Sequence, residues 1–320
     1  MNTWAQFLAS IVLLTSVGVP CVAQQGGGDL WKRLDKNGDK AISRNEAGAR
    51  VWSRLSRLDG NGDGQVTSDE FLARTAPGGE SQDNPTRGAE GPKPTFSDIR
   101  YSKDYSRSTL DIWLPKTPAK NPFPMVVYFH GGGLRMGNKS MIFFKDDFLN
   151  LTNQGIAIVS VGYPLLGDQD FKVGGPKREQ AIAIMEHAGK AVSFLRKHAE
   201  KYQLDGERFV LAGNSAGCGI AQYNTYAKPL GARACFGIQQ ASKGIINYID
   251  ADSPPLVLYT ESGPDDSTHN PSNAADTKEH CDKVGATCFL FGSKKSGLPQ
   301  LPGDQKFVPH AISLIKESMK

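Results

Sequence analysis

The sequence predicts an α/β domain with a mostly parallel sheet, preceded by a small helical module. Three observations carry this prediction. Short apolar runs alternate with longer helical patterns from about residue 96 onward, which is how a parallel sheet covered on both faces reads. Two glycine-rich turns follow apolar runs in that stretch, His130-Gly131-Gly132-Gly133 and Gly213-Asn214-Ser215-Ala216-Gly217. Two acidic loops of one pattern lie between residues 35 and 70, ahead of a segment almost free of apolar residues.

Length and charge bound the rest. A chain of 320 residues accommodates one large domain and a small one. With 37 Lys and Arg against 33 Asp and Glu the net charge is +4, and no basic run alternates with aromatics, so a nucleic-acid partner is not expected.

The chain opens with an apolar stretch, Phe7 to Val19, that is short for a bilayer span and ends in Cys21-Val22-Ala23. This predicts a signal peptide over residues 1–23 cut near Ala23, and an exported protein, secreted or periplasmic, with no transmembrane domain after processing. A lipid anchor at Cys21 and an uncleaved membrane anchor are the competing forms, and Pro20 is unusual before a lipidated cysteine. Four cysteines follow: Cys218, Cys235, Cys281 and Cys288. In an oxidising compartment Cys281 and Cys288 could pair across a helix-to-strand turn, or all four could serve as small buried thiols.

Residues 24–74 carry the two acidic loops. The first places oxygen donors at Asp35, Asn37, Asp39, Ser43 and Glu46, with the Ala41 carbonyl between them. The second places them at Asp59, Asn61, Asp63, Thr67 and Glu70, with the Gln65 carbonyl. A hard cation takes six or seven oxygens around a tight loop closed by a bidentate Glu, so calcium is the expected cofactor. Ile42 and Val66 hold equivalent positions from which the loops can pair as a short ladder. The segment Ala47 to Leu58, with Val51, Leu55 and Leu58 at helical spacing, predicts one helix serving both loops. Trp31 and Phe71 are expected to close the small core. This module resembles a pair of EF-hands. Lys40 stands where the first loop's turn favours glycine, and Lys36, Lys40 and Arg44 add positive charge there, so the second loop should bind more tightly. Arg50, Arg54 and Arg57 read as a solvated face.

Residues 75–95, with Pro77-Gly78-Gly79, Pro85, Gly91-Pro92 and Pro94, read as a flexible linker. Strands are then expected at Thr109–Leu114, Met125–Phe129, Ile156–Val161, Phe209–Ala212, Ala234–Ile238, Leu256–Tyr259 and Thr287–Phe291. A long helix is expected over Arg178–Tyr202, with Ala181, Ile184, Met185, Ala188, Val192 and Leu195 on one side, and a final helix near Val308–Ser318.

The two glycine turns have one chemistry in common. Glycines around Ser215 allow a sharp strand-to-helix turn that holds the hydroxyl above the sheet, and glycines after Phe129 expose backbone N–H groups that can stabilise an oxyanion. On these motifs, with Val161-Gly162-Tyr163-Pro164 after the next strand, residues 96–320 resemble the α/β-hydrolase fold in its carboxylesterase and lipase branch. The resemblance implies Ser215 as nucleophile and the N–H groups of Gly131, Gly132 and Ala216 as oxyanion hole. It gives His130 a supporting role in the loop and no part as base. It also implies an acid after the strand at Leu256–Tyr259, where Asp265 and Asp266 stand, and a catalytic His after the last strand.

There the pattern departs. The segment Gly292-Ser293-Lys294-Lys295-Ser296-Gly297-Leu298 contains no imidazole, and His310 follows too late. His269 is the histidine whose loop should lie beside Ser215, with Asp265, Asp266 or Asp252 to orient it. His187, His198 and His280 fall in helical stretches and read as surface or boundary residues. Two functions therefore stay open: a serine hydrolase cleaving a carboxylic ester, on a small molecule or a polysaccharide, or an esterase fold that has lost its base and keeps its pocket for binding or scaffolding.

Overall fold

The computed structural model describes residues 34–55, 64–67, 92–118 and 120–319, the first two stretches in one compact unit and the last two in another. The expected signal peptide, most of the linker, and Trp31, Asp59, Asn61, Asp63, Glu70 and Phe71 lie outside the described residues.

In the smaller unit, strands β1 (Ala41–Ser43) and β2 (Gln65–Thr67) pair antiparallel with Ile42 opposite Val66, both fully buried. The same backbone position before each strand is left-handed, at Lys40 with φ 66° and at Gly64 with φ 82°. Only the glycine adopts that turn without a Cβ clash. Helix α1 (Arg44–Leu55) starts earlier than its apolar spacing predicts and is interrupted at Gly48, with φ 70° and ψ 155°. The interruption resets the helical phase: Leu55 packs with Ile42 and Val66, while Val51, expected on the same side, is 39% exposed.

The larger unit is built on an eight-stranded sheet. Its strands are β3 (Phe96–Arg100), β4 (Thr109–Trp113), β5 (Phe123–Phe129), β6 (Ala157–Val161), β7 (Leu204–Asn214), β8 (Cys235–Ile238), β9 (Leu256–Thr260) and β10 (Cys288–Gly292), in the spatial order β10-β9-β8-β7-β5-β6-β4-β3. β4 pairs antiparallel with both β3 and β6 at one edge, and the remaining pairs are parallel. β3 has no apolar run, because three of its five residues are exposed at the sheet edge, and periodicity does not reveal it. β7 begins five residues before its apolar stretch, since Leu204 extends the pairing to Phe123.

Side chains alternate across the central strands. Met125, Val127 and Phe129 face one layer, with helices α3 (Lys177–Lys197), α4 (Ala216–Gln222) and α5 (Pro271–Val284). Val126 and Tyr128 face the other, with α2 (Lys145–Asn150) and α6 (Phe307–Leu314). Central parallel strands buried on both faces need continuous apolar sequence, which is why they were legible.

Two expectations change here. The linker's last residues are not free of the fold: Trp113 Nε1 donates to the Pro92 carbonyl at 2.6 Å, and Leu114 N to Thr95 Oγ1 at 3.0 Å. They continue along β4 because Trp113 has a buried indole N–H that needs an acceptor. His187 is not a surface residue. It is 4% exposed, bonded to Ser108 Oγ at 2.7 Å and packed edge-on against Tyr105. The four cysteines are buried free thiols, and Cys281 and Cys288 are in hydrogen-bond contact.

Candidate active site

The parallel strands deliver every element of the site from their C-terminal ends, where open α/β sheets place their functional loops. β7 ends in Asn214, and Ser215 takes φ 55° and ψ −116° before α4 begins. A non-glycine residue so held costs about 1–3 kcal/mol and persists only where the surroundings fix it. Here they do. A Cβ on Gly213 would lie 2.1 Å from the Gly217 carbonyl oxygen, and one on Gly217 would lie 2.0 Å from that of Phe129. Both glycines of the turn are thus demanded by backbone approach, and the Ser215 amide is tied to the Ile238 carbonyl at 2.9 Å.

The glycine loop after β5 comes against this turn. A Cβ on Gly131 would be 3.3 Å from that of Ser215, and one on Gly132, with φ 117°, would strike the Met136 carbonyl at 2.0 Å. Among the described residues the amides of Gly131 and Gly132 donate to no protein acceptor. Ala216 opens α4, so its amide has no preceding turn to bond. Three N–H groups beside one serine can hold a developing oxyanion. His130 is fully buried, stacked on Tyr163 at 4.2 Å, with its Nδ1 at 2.7 Å from the Gly131 carbonyl. Burial pushes its pKa down to about 4 against the pull of that carbonyl, so it is a neutral support for the loop. The Tyr163 hydroxyl, from the segment after β6, donates to the His130 carbonyl at 2.5 Å.

The candidate base and acid come from the loop after β9. His269 Nε2 lies 2.8 Å from Ser215 Oγ, and His269 Nδ1 lies 3.3 Å from Asp266 Oδ2. Asp266 Oδ1 also accepts the amides of Thr268 and His269, each at 2.9 Å, so one carboxylate closes a tight turn and faces the ring of the residue that ends it. Asn270 then caps α5 through the Ser272 amide and ties back to the Pro264 carbonyl at 2.7 Å. Partial burial opposes ionisation of Asp266. The His269 amide, the Ser262 hydroxyl and the Thr268 amide outweigh it and hold the carboxyl down at about 2. The acid candidates separate accordingly: Asp265 and Asp252 are exposed, and the carboxylate at the imidazole is that of Asp266.

Three participants were not legible as site residues. Ser262 Oγ donates to Asp266 Oδ2 at 2.7 Å, Gln239 at the end of β8 bonds Ser262, and Ser293 Oγ after β10 donates to the Glu261 carbonyl at 2.6 Å. A local signal for Asp266 over Asp265 did exist. Asp-Ser-Thr-His followed by Asn-Pro is the pattern of a carboxylate-capped turn running into a helix start.

In the smaller unit the oxygens of Asp35, Asp39 and Glu46 lie within 4.8 Å of one another. Asp35 Oδ1 accepts the Gly38 amide and Asp39 Oδ1 the Ala41 amide, each at 2.8 Å, while Glu46 Oε2 accepts the Ser43 amide at 2.8 Å. The Ser43 hydroxyl and amide, with the Asn37 and Lys36 amides, lower the Glu46 pKa. The loop is thus wound around converging oxygens, a donor set that fits a hard divalent cation. In the second loop only Gln65 and Thr67 of the expected donors are described.

Comparison with known proteins agrees with the geometry. Residues 110–243, from β4 past the nucleophile turn, match the family model BD-FAE. An esterase of Gibberella moniliformis is 28% identical over 120 residues, 37% of this chain and 34% of that protein; the chain thus spans about a third of this relative's length. A truncated carbohydrate esterase from gut microbiota superposes with a TM-score of 0.55 at 14% identity, covering 70% of this chain and 95% of that one. Thermogutta terrifontis esterase 2 phosphonylated by cyclosarin does so with 0.56 at 18% identity, covering 71% and 96%. The larger unit has the α/β-hydrolase fold, and its residues 110–243 are similar to that family model and to part of the esterase.

Proposed function

We propose that this protein is an exported, calcium-binding serine hydrolase of the esterase and lipase type. The observation that carries the catalytic reading is the 2.8 Å contact between Ser215 Oγ and His269 Nε2. Asp266 holds the imidazole with its proton on Nδ1, leaving Nε2 to accept. Ser215 Oγ gives its proton to Nε2 as it bonds to the ester carbonyl carbon, and the oxygen that gains charge sits among the amides of Gly131, Gly132 and Ala216. The carbon–oxygen bond to the alcohol then breaks, and His269 passes the proton to the departing oxygen. Water repeats the cycle on the acyl-serine, releasing the acid and restoring Ser215. The His269 ring is 24% exposed and the Asp266 carboxylate 34%. A site so close to solvent suits an ester carried by a polysaccharide as well as a small molecule, and one structural neighbour is a carbohydrate esterase.

Calcium is the cation that the first loop's donors fit, held by Asp35, Asn37, Asp39, the Ala41 carbonyl, Ser43 and Glu46. It would act as a structural clamp on the small unit. The second loop, with Gly64 in place of Lys40 and no basic residue, is the tighter site in this reading. Calorimetry checks it: Glu70→Gln should remove the main binding event and Glu46→Gln a lesser one. Export is part of the proposal, tested by N-terminal sequencing of protein from its native host, with a start at Gln24 expected. Among the described residues no helix is long and apolar enough to cross a membrane.

The deciding experiment is exposure to a fluorophosphonate followed by mass spectrometry, alongside hydrolysis of short activated acyl esters. Label on Ser215 with turnover supports the hydrolase. Neither label nor turnover leaves the competing reading, a binding protein on an esterase fold.

A further inference from the structure

We infer that Gln239 and Ser262 form a positioning relay that fixes the acid and, through it, the relocated base. The inference rests on the reading of Ser215, His269 and Asp266 as the reacting groups. Its starting point is the loop after β9, which carries acid and base three residues apart and so cannot rely on two separate strands to hold them in register. Something else must fix that loop.

Gln239 is buried, with φ 52° in the left-handed region, immediately after β8. Its Oε1 accepts the amides of Glu261 at 2.9 Å and Ser262 at 3.3 Å. Backbone N–H groups only donate, so the atom facing them is the oxygen, and the amide orientation is settled by chemistry. Nε2 is then turned to Ser262 Oγ, at 3.0 Å. Because Ser262 Oγ accepts there, its single proton goes to Asp266 Oδ2 at 2.7 Å. The direction of every bond is forced, from two backbone amides through Gln239 and Ser262 to Asp266, which faces His269. The residue before Gln239 holds the other end of the site, since the Ile238 carbonyl accepts the Ser215 amide at 2.9 Å. One strand end therefore sets both the nucleophile and the acid loop. The charged neighbours are His269, Glu261 and Asp265 on the same loop, and Lys294 and Lys295 on the segment after β10, where the Lys295 carbonyl lies near Gly263.

The relay makes a specific forecast for Gln239→Glu, a change of nearly the same shape. The new carboxylate still accepts from the two amides but donates nothing, and it competes with Asp266 for the Ser262 proton. The added negative charge should move the acidic limb of the kcat/KM profile to higher pH, because like charge beside a carboxylate favours protonation nearby. Ser262→Ala removes the last bond outright. Each change should lower kcat roughly tenfold with KM within about twofold, as expected for misplacing a group that acts in the transition state. Ser262→Thr, which retains the hydroxyl, should recover most of the loss. A second readout is independent of turnover: carbon NMR titration of the Asp266 carboxyl should rise from about 2 toward the ordinary aspartate value in Ser262→Ala and Gln239→Glu. Melting temperature confirms that each variant is folded. An unchanged Asp266 titration, or folded variants with unaltered kcat and pH profile, overturns the relay. If wild-type protein neither turns over ester nor takes up the fluorophosphonate, the hydrolase reading fails, while the Asp266 titration still decides whether the relay exists.

Discussion

The loops that follow β9 and β10 lie side by side and divide their work unequally. The first holds Ser262, Asp266 and His269, and so, in the proposed mechanism, both the acid and the base. The second, at Ser293 to Gly297, carries two lysines and no imidazole, and it supports its neighbour: the Ser293 amide donates to the Thr260 carbonyl at 3.0 Å and its hydroxyl to the Glu261 carbonyl. The difference teaches that the position of a base is a demand of space and not of order along the chain. β9 and β10 are adjacent parallel strands, so their following loops emerge together, and an imidazole from either could be brought to Ser215. Holding both groups on one loop confines them to a four-residue turn, and its anchoring passes to β8 and β10.

The comparison can be broken at several points. The largest effect belongs to Ser215→Ala, which should remove ester hydrolysis and fluorophosphonate uptake, a loss of about a thousandfold or more. Next is His269→Ala, which should cost at least about a hundredfold in kcat. Full activity in that variant would move the base elsewhere. Asp266→Asn should lower kcat by roughly tenfold to a hundredfold while Asp265→Asn stays within about twofold; the reverse ranking would return the acid to Asp265. Ser293→Ala, which cuts a tie between the two loops, should cost only severalfold in kcat and should not alter fluorophosphonate specificity for Ser215. A larger loss would make the second loop a working part of the site.

A stability measurement sharpens the same division, since the two buried histidines lie outside both loops. Burial lowers the pKa of His130 and of His187 from 6.5 to about 4. Between these values the unfolded chain binds protons that the folded chain does not, so the stability is fully present above about pH 6.5 and is lost as pH falls toward 4. Thermal melting should therefore drop on going from pH 7 to pH 5, and His187→Phe should flatten the decline. A melting temperature independent of pH over that range would show that these imidazoles charge freely.

The sequence by itself determined the alternation of strands and helices, the pairing of Ile42 with Val66, and the sharp turn at Ser215, because each is encoded in neighbouring residues. Apolar runs mark strands buried on both faces. Glycines at 213 and 217 are required by carbonyl oxygens about 2 Å from where a Cβ would sit. Edge strand β3 left no apolar trace, since it buries little, and the phase of α1 was hidden by the single backbone excursion at Gly48. Tertiary structure alone decided that His187 is interior, against Ser108 and Tyr105, and that Gln239 and Ser293 brace the site. The bracing depends on loops from β8, β9 and β10 meeting at one end of the sheet. Residues that meet there are separated by 22 to 54 positions in the chain, and no local pattern records a contact of that range.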